Sequence, residues 1–229
     1  MVHRHRDVNG GSARAAVFGI SDGLVSNVAL ILGVAAASAE RSSVLVAGVA
    51  GLLAGAASMA AGEYVSMKAQ AELVERELEI ERRSLAKQPA AEIRELAATY
   101  RHRGLDADQA LEMATAVHAD PDVALEVHAR EELGVDPDDI GTPVGAALSS
   151  FIAFTIGALI PLLPWFAADG NGAVVASAVL GLVAAGSVGG VLAVFTERSI
   201  VRTAARQIGW AVAACAVTWL IGSWLGTVV

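Results

Sequence analysis

The chain has 229 residues, 55% of them hydrophobic and 17% charged, with a formal net charge of −8 and a mean hydropathy of +0.55. That composition is too apolar for an ordinary soluble domain. The single cysteine, Cys215, excludes a disulfide framework or thiolate metal cluster within one chain.

The apolar residues gather in five blocks, about Ala13–Ala39, Val44–Tyr64, Val144–Ala168, Ala173–Phe195 and Ile208–Val229. Each has the roughly 20 residues needed to cross about 30 Å of hydrocarbon. The expected fold is all-α, five membrane helices with a polar helical insertion between the second and third. The expected boundaries are 1–66 for helices one and two, 67–142 for the insertion, and 143–229 for helices three to five.

The first block follows a basic HRHR start and ends in Ala37-Ser38-Ala39, which resembles a signal-peptide cleavage site. The run is longer than a usual signal core and contains Asp22, so an uncleaved membrane helix is the expected state. A carboxylate inside a membrane helix costs several kcal/mol unless it faces a polar interior, which makes Asp22 a candidate for ion translocation. The alternative is that Asp22 is protonated, or paired with a cytoplasmic Arg near the membrane edge. Gly19 and Gly23, four apart, allow another backbone to approach, and Ser26 and Asn27 add polar groups.

The second block runs into charge without a break. Val44 to Gly62 is uncharged, then come Glu63, Lys68, Glu72, Glu75, Glu77, Glu79 and Glu81, with no Pro between Val44 and Gln88 and no Gly after Gly62. One long helix, membrane-spanning and then solvated, is predicted. Met59, Glu63 and Met67 at spacings of four share one face. Thioether and carboxylate together suit a soft-to-borderline divalent metal such as iron(II), although a Met stripe also arises from ordinary packing.

From Met67 to Thr142 there are eleven Glu and seven Asp against nine Lys and Arg, so this insertion carries −9 and the remainder +1. Helices are predicted over Met67–Lys87, Ala90–Arg103, Asp106–His118 with Asp106 as its cap, and Pro121–Leu133, ended by Gly134. Metal-type residues fall at helical spacing: Glu81; Glu92 and Glu95; and His128 with Glu131 and Glu132. Carboxylates with an imidazole suit iron(II), manganese(II) or zinc, and the same pattern also describes a solvated charged surface.

The third block carries Pro161 and Pro164, expected to end or kink its helix, and Trp165, suited to the outer interface. Gly181, Gly186, Gly189 and Gly190 in the fourth, and Gly222-x-x-x-Gly226 in the fifth, imply close packing within one chain or between two in a homodimer. Of 16 basic residues, 15 fall on one side of the five spans, leaving Arg41 on the other. The positive-inside rule then places the N-terminus and insertion in the cytoplasm and the C-terminus outside.

Taken together and in order, S-D-G-L-V-S-N, S-M-A-A-G-E-Y-V-S, the acidic insertion, V-H-A-R-E-E-L-G and P-x-x-A-A-L-S-S-F-I-A-F resemble the vacuolar iron transporter family. The resemblance covers nearly the whole chain. It implies a dimeric five-helix membrane protein with a cytoplasmic metal-binding domain, exporting iron(II), often also manganese(II), in exchange for protons. It implies Asp22 and Met59 in the transport path, with Glu63 at its cytoplasmic entrance. Glu81, Glu92, Glu95 and Glu132 match the family's acidic ligands. Two departures bear on ion number and preference. Ser84 stands where some relatives have another acidic residue, and His128-Ala129 where some have paired methionines, so His128 replaces a thioether.

The expected function is therefore export of divalent metal ions by proton antiport, with no prosthetic group. A membrane-anchored metal sensor or buffer is the alternative. A di-iron oxidase is disfavoured because no Glu-x-x-His occurs in the chain. No nucleotide loop, nucleophile triad or DNA-binding signature is present, so neither enzymatic activity nor a nucleic-acid partner is expected. The high Ala, Val and Gly content and the lack of targeting segments point to a bacterial-type plasma membrane.

Overall fold

The computed structural model describes residues 11–38, 40–137 and 140–228. Arg4, Arg6, Ala39, Asp138 and Asp139 lie outside the described residues. The elements are α1 (Gly11–Ala37), α2 (Arg41–Lys87), α3 (Pro89–His102), α4 (Ala107–Val117), α5 (Pro121–His128), a π turn (Ala129–Leu133), α6 (Pro143–Ala167), α7 (Gly170–Phe195) and α8 (Ile200–Val228). Among the described residues there is no strand. Five helices, α1, α2, α6, α7 and α8, are long and apolar enough to cross a membrane. The protein is an all-α integral membrane protein. It folds as two compact units, one formed by Ser66–Gly141 and the other by the rest of the chain.

In the membrane unit α1 lies centrally, packed against α6, α7 and α8. Lipid tails are as apolar as leucine, so helices there associate by close packing and interhelical hydrogen bonds rather than by escape from water. Both devices are present. A Cβ at Gly19 would lie 2.8 Å from the Ser150 carbonyl oxygen, and Gly23 and Gly157 are closed off by backbone of the facing helix in the same way. Asn27 Nδ2 donates to the Ala158 carbonyl at 2.7 Å, and Thr218 Oγ1 to the Ala29 carbonyl at 2.7 Å. α2 joins through Val44, set among Ile31, Leu162 and Trp165, and through Leu52 and Ala56 against Phe154.

Three expectations need correcting. Helix α6 runs through Pro161 and Pro164 to Ala167. The carbonyls near its end are met by other donors: Ser177 Oγ reaches Pro161 O at 2.7 Å, and Arg41 Nε reaches Trp165 O at 2.8 Å. Trp165 is fully buried in the core with Ile31 and Ala173, so its ring is not presented to the surroundings. Helix α8 begins at Ile200, eight residues before the apolar block. Arg202 and Arg206 lower the hydropathy of its first turns without interrupting the helix.

The second unit is built by apolar burial. Leu96, Tyr100, Ala110 and Ala114 hold α3 to α4, while Leu78, Leu125 and Ala129 hold the end of α2 to α5 and the π turn. Burying a side chain such as Leu96 contributes roughly 1.5–3 kcal/mol in water. Asp106 and Asp120 cap α4 and α5, each accepting two backbone N–H bonds. Gly134, at φ 66°, ends the π turn in the left-handed conformation that glycine adopts without strain.

Candidate metal sites

Two places gather the chemistry, one in each unit. The first is a cavity of about 480 Å³ lined by α1, α2 and Phe154 of α6. Asp22, Ser26 and Asn27 come from α1; Ser58, Met59 and Glu63 from α2. Met59 and Glu63 share the cavity because four residues return a helix to the same face. Gly62 leaves open space beside them, whereas the room at Gly51 and Gly55 is taken by Leu30 and Phe154. The Ser26 hydroxyl donates to the Asp22 carbonyl at 2.6 Å, so it turns back onto its own helix. Asn27 Oδ1 is buried without a hydrogen-bond partner. Glu63 is held from outside the lining by Arg14, Nη2 to Oε1 at 3.2 Å. Met67, expected on the same stripe, belongs to the second unit and is buried beside Gly141.

The second site joins Glu81 of α2, His128 of α5 and Glu132 of the π turn. One ligand atom from each lies within 4.8 Å of the others. His128 Nδ1 is 3.1 Å from Glu81 Oε1 and 2.9 Å from Glu132 Oε1. A single Nδ1 proton cannot serve two carboxylates, and neither contact has hydrogen-bond alignment. Burial holds the His128 imidazole below its ordinary pKa despite Glu81. It raises Glu81 above the usual carboxylate range, and it pushes Glu132 up to about 7, helped by Glu95 and Glu92. Three lone-pair donors thus converge. Bonds of ~2.1 Å at right angles around one ion place donor atoms about 3 Å apart, close to the spacings here.

Glu92, 8% exposed, and the exposed Glu95 are near enough to raise both carboxylates, yet they stand outside the three-atom group. Glu131, grouped with His128 by spacing, instead forms an ion pair with Arg103. His118 packs edge-on against His128, ring centroids 5.1 Å apart, with its Nδ1 2.8 Å from the Ala114 carbonyl.

The profile of the VIT family matches residues 13–223. The chain belongs to the VIT family. Similar proteins include "Vacuolar iron transporter" of Acanthamoeba castellanii, 40% identical over 162 residues, which cover 70% of this chain and 58% of that one. "Vacuolar iron transporter 1" of Eucalyptus grandis is 32% identical over 80% of this chain and 76% of its own. "Vacuolar iron transporter 1" of Arabidopsis thaliana is 34% identical over 75% and 69%.

In this VIT chain some residues at the two sites escaped sequence reasoning. Arg14 counted only as a basic charge, because its partner is 49 positions away. Phe154, whose ring fills the space that Gly55 leaves, looks like any apolar residue of a membrane helix. His118 carries no spacing signal, since it reaches His128 through the α4–α5 turn.

Proposed function

We propose that the protein is a metal-ion transporter that exports iron(II), and also manganese(II), from the cytosol in exchange for protons. The observation that carries this reading is one cavity among membrane-type helices lined by Asp22, Met59 and Glu63. Carboxylate oxygen offsets the loss of the ion's hydration shell, and thioether sulfur favours softer ions over magnesium or calcium. The names of the relatives support iron as cargo. The Glu81–His128–Glu132 group would gather the ion on the cytoplasmic side, with Glu92 and Glu95 adding negative charge.

Proton coupling follows from using one group twice. A carboxylate binds either a proton or a metal, so protonation of Asp22 or Glu63 from outside releases the ion and deprotonation towards the cytosol readies the site. The protein works as a homodimer, without a prosthetic group or enzymatic chemistry. Composition suggests a bacterial-type plasma membrane, and the relatives are named for the vacuole; in either membrane the ion leaves the cytosol.

Flux into liposomes holding the purified protein tests this, with and without a pH gradient, for iron(II), manganese(II) and zinc(II). Gradient-driven iron(II) uptake that vanishes in Asp22→Asn, while metal binding by the helical unit persists, is the expected result. Binding without flux for every ion would leave a membrane-anchored sensor or buffer built on the Glu81–His128–Glu132 group.

A further inference from the structure

A recess of about 530 Å³ lies at the turn from α7 to α8, lined by Thr196, Glu197, Arg198, Ser199, Arg202, Thr203 and Arg206. Arg202 and Arg206 are one turn apart on α8, and Arg198 precedes that helix. No described carboxylate pairs with any of the three guanidinium groups. Glu197 is the one acid in the lining, so the recess holds a local excess of positive charge. The turn itself is closed by hydrogen bonds: the Arg198 amide donates to Ala193 O at 2.9 Å, and the Thr196 hydroxyl to Leu192 O at 2.8 Å.

Guanidinium forks match phosphate oxygens two at a time, which a carboxamide or a lone ammonium does not. The surroundings choose between phosphate sources. Helices α7 and α8 are both long and apolar enough to cross a membrane, so the turn joining them lies where bilayer meets water. Beside the arginines, Val194, Phe195, Ile200 and Val201 are 55–77% exposed. A free phosphate ion needs no such apolar rim. A phospholipid uses both parts, its headgroup among the arginines and its chains against the rim.

We propose that this recess is a binding site for the headgroup of an anionic phospholipid. The test is native mass spectrometry of the full-length protein in neutral detergent, titrated with phosphatidylglycerol or phosphatidylcholine, for the wild type and for R198Q/R202Q/R206Q. The expected result is selective retention of phosphatidylglycerol, about 100-fold weaker in the triple variant, and unaffected by millimolar inorganic phosphate. Equal retention of the two lipids, or undiminished phosphatidylglycerol binding in the triple variant, overturns the proposal. Complete displacement by inorganic phosphate overturns it in favour of a free-anion site. If the triple variant does not fold, Arg202→Gln, an exposed position, decides the matter through a roughly fivefold weakening or its absence.

Discussion

Arg14 Nη2 stands 3.2 Å from Glu63 Oε1, so an internal cation already occupies one of the carboxylates that line the cavity between α1 and α2. The Arg14 side chain is 71% exposed and that of Glu63 only 16%. A cation binding at Glu63 would have to displace the guanidinium, and a pair with one partner this exposed is worth about 0–1 kcal/mol. Arg14→Gln should therefore lower the KM for iron(II) by up to about fivefold in liposome flux, while Arg14→Lys leaves it near wild type. A raised KM in the Gln variant would show that Arg14 guides the ion instead of competing with it.

His128 supplies the imidazole at the centre of the three-donor group, between two carboxylates at 3.1 and 2.9 Å. His128→Ala should weaken iron(II) or zinc(II) binding by at least the 10–100-fold that loss of an outer-shell partner typically costs. Calorimetry on the full chain reads the loss. Unchanged affinity would move the binding site to Glu92 and Glu95.

Proton competition gives that binding a pH dependence of definite sign. The Glu132 carboxyl, raised by burial to about 7, must lose its proton to bind a metal. Affinity should therefore rise up to about pH 7 and level above it, with proton release on binding seen below that pH and fading above. For folding without metal the sign is opposite. Between the ordinary carboxylate pKa and about 7 the folded state holds the extra proton, so stability falls as pH rises through that window. Metal addition should then raise Tm more at pH 8 than at pH 5. An equal rise at both would remove Glu132 from the ligand set.

Gly23 faces the Phe154 backbone across the α1–α6 contact, whereas Gly209 of α8 has open space where a Cβ would stand. Gly23→Ala should lower Tm measurably, because backbone rather than a flexible side chain must yield. Gly209→Ala should be neutral or stabilising by up to ~1 kcal/mol, from helix propensity alone. Thermal melting of the two variants side by side checks both.

Local rules explain what could be read in advance. Asp106 as a cap, Gly134 as a stop, and an uninterrupted α2 all follow from backbone chemistry within a few residues, and the structure has each of them. The shared face of Met59 and Glu63 follows from helical periodicity, and both line the cavity. What was illegible depends on distant partners. Trp165 is buried because α1, α2 and α7 close around it, and the end of α6 is held by Arg41 and Ser177, whose side chains donate to the carbonyls of Trp165 and Pro161. The start of α8 was missed because hydropathy registers charge, and charge at a helix end does not stop a helix.

Gly222 and Gly226 fit against Gly33 and Ala37 of the same chain. The stripe that a motif search would nominate for self-association is thus already taken up inside the protomer. A glycine substitution at 222 intended to split a dimer would instead unseat α8 from α1, and a misfolded monomer would be mistaken for a dissociated one.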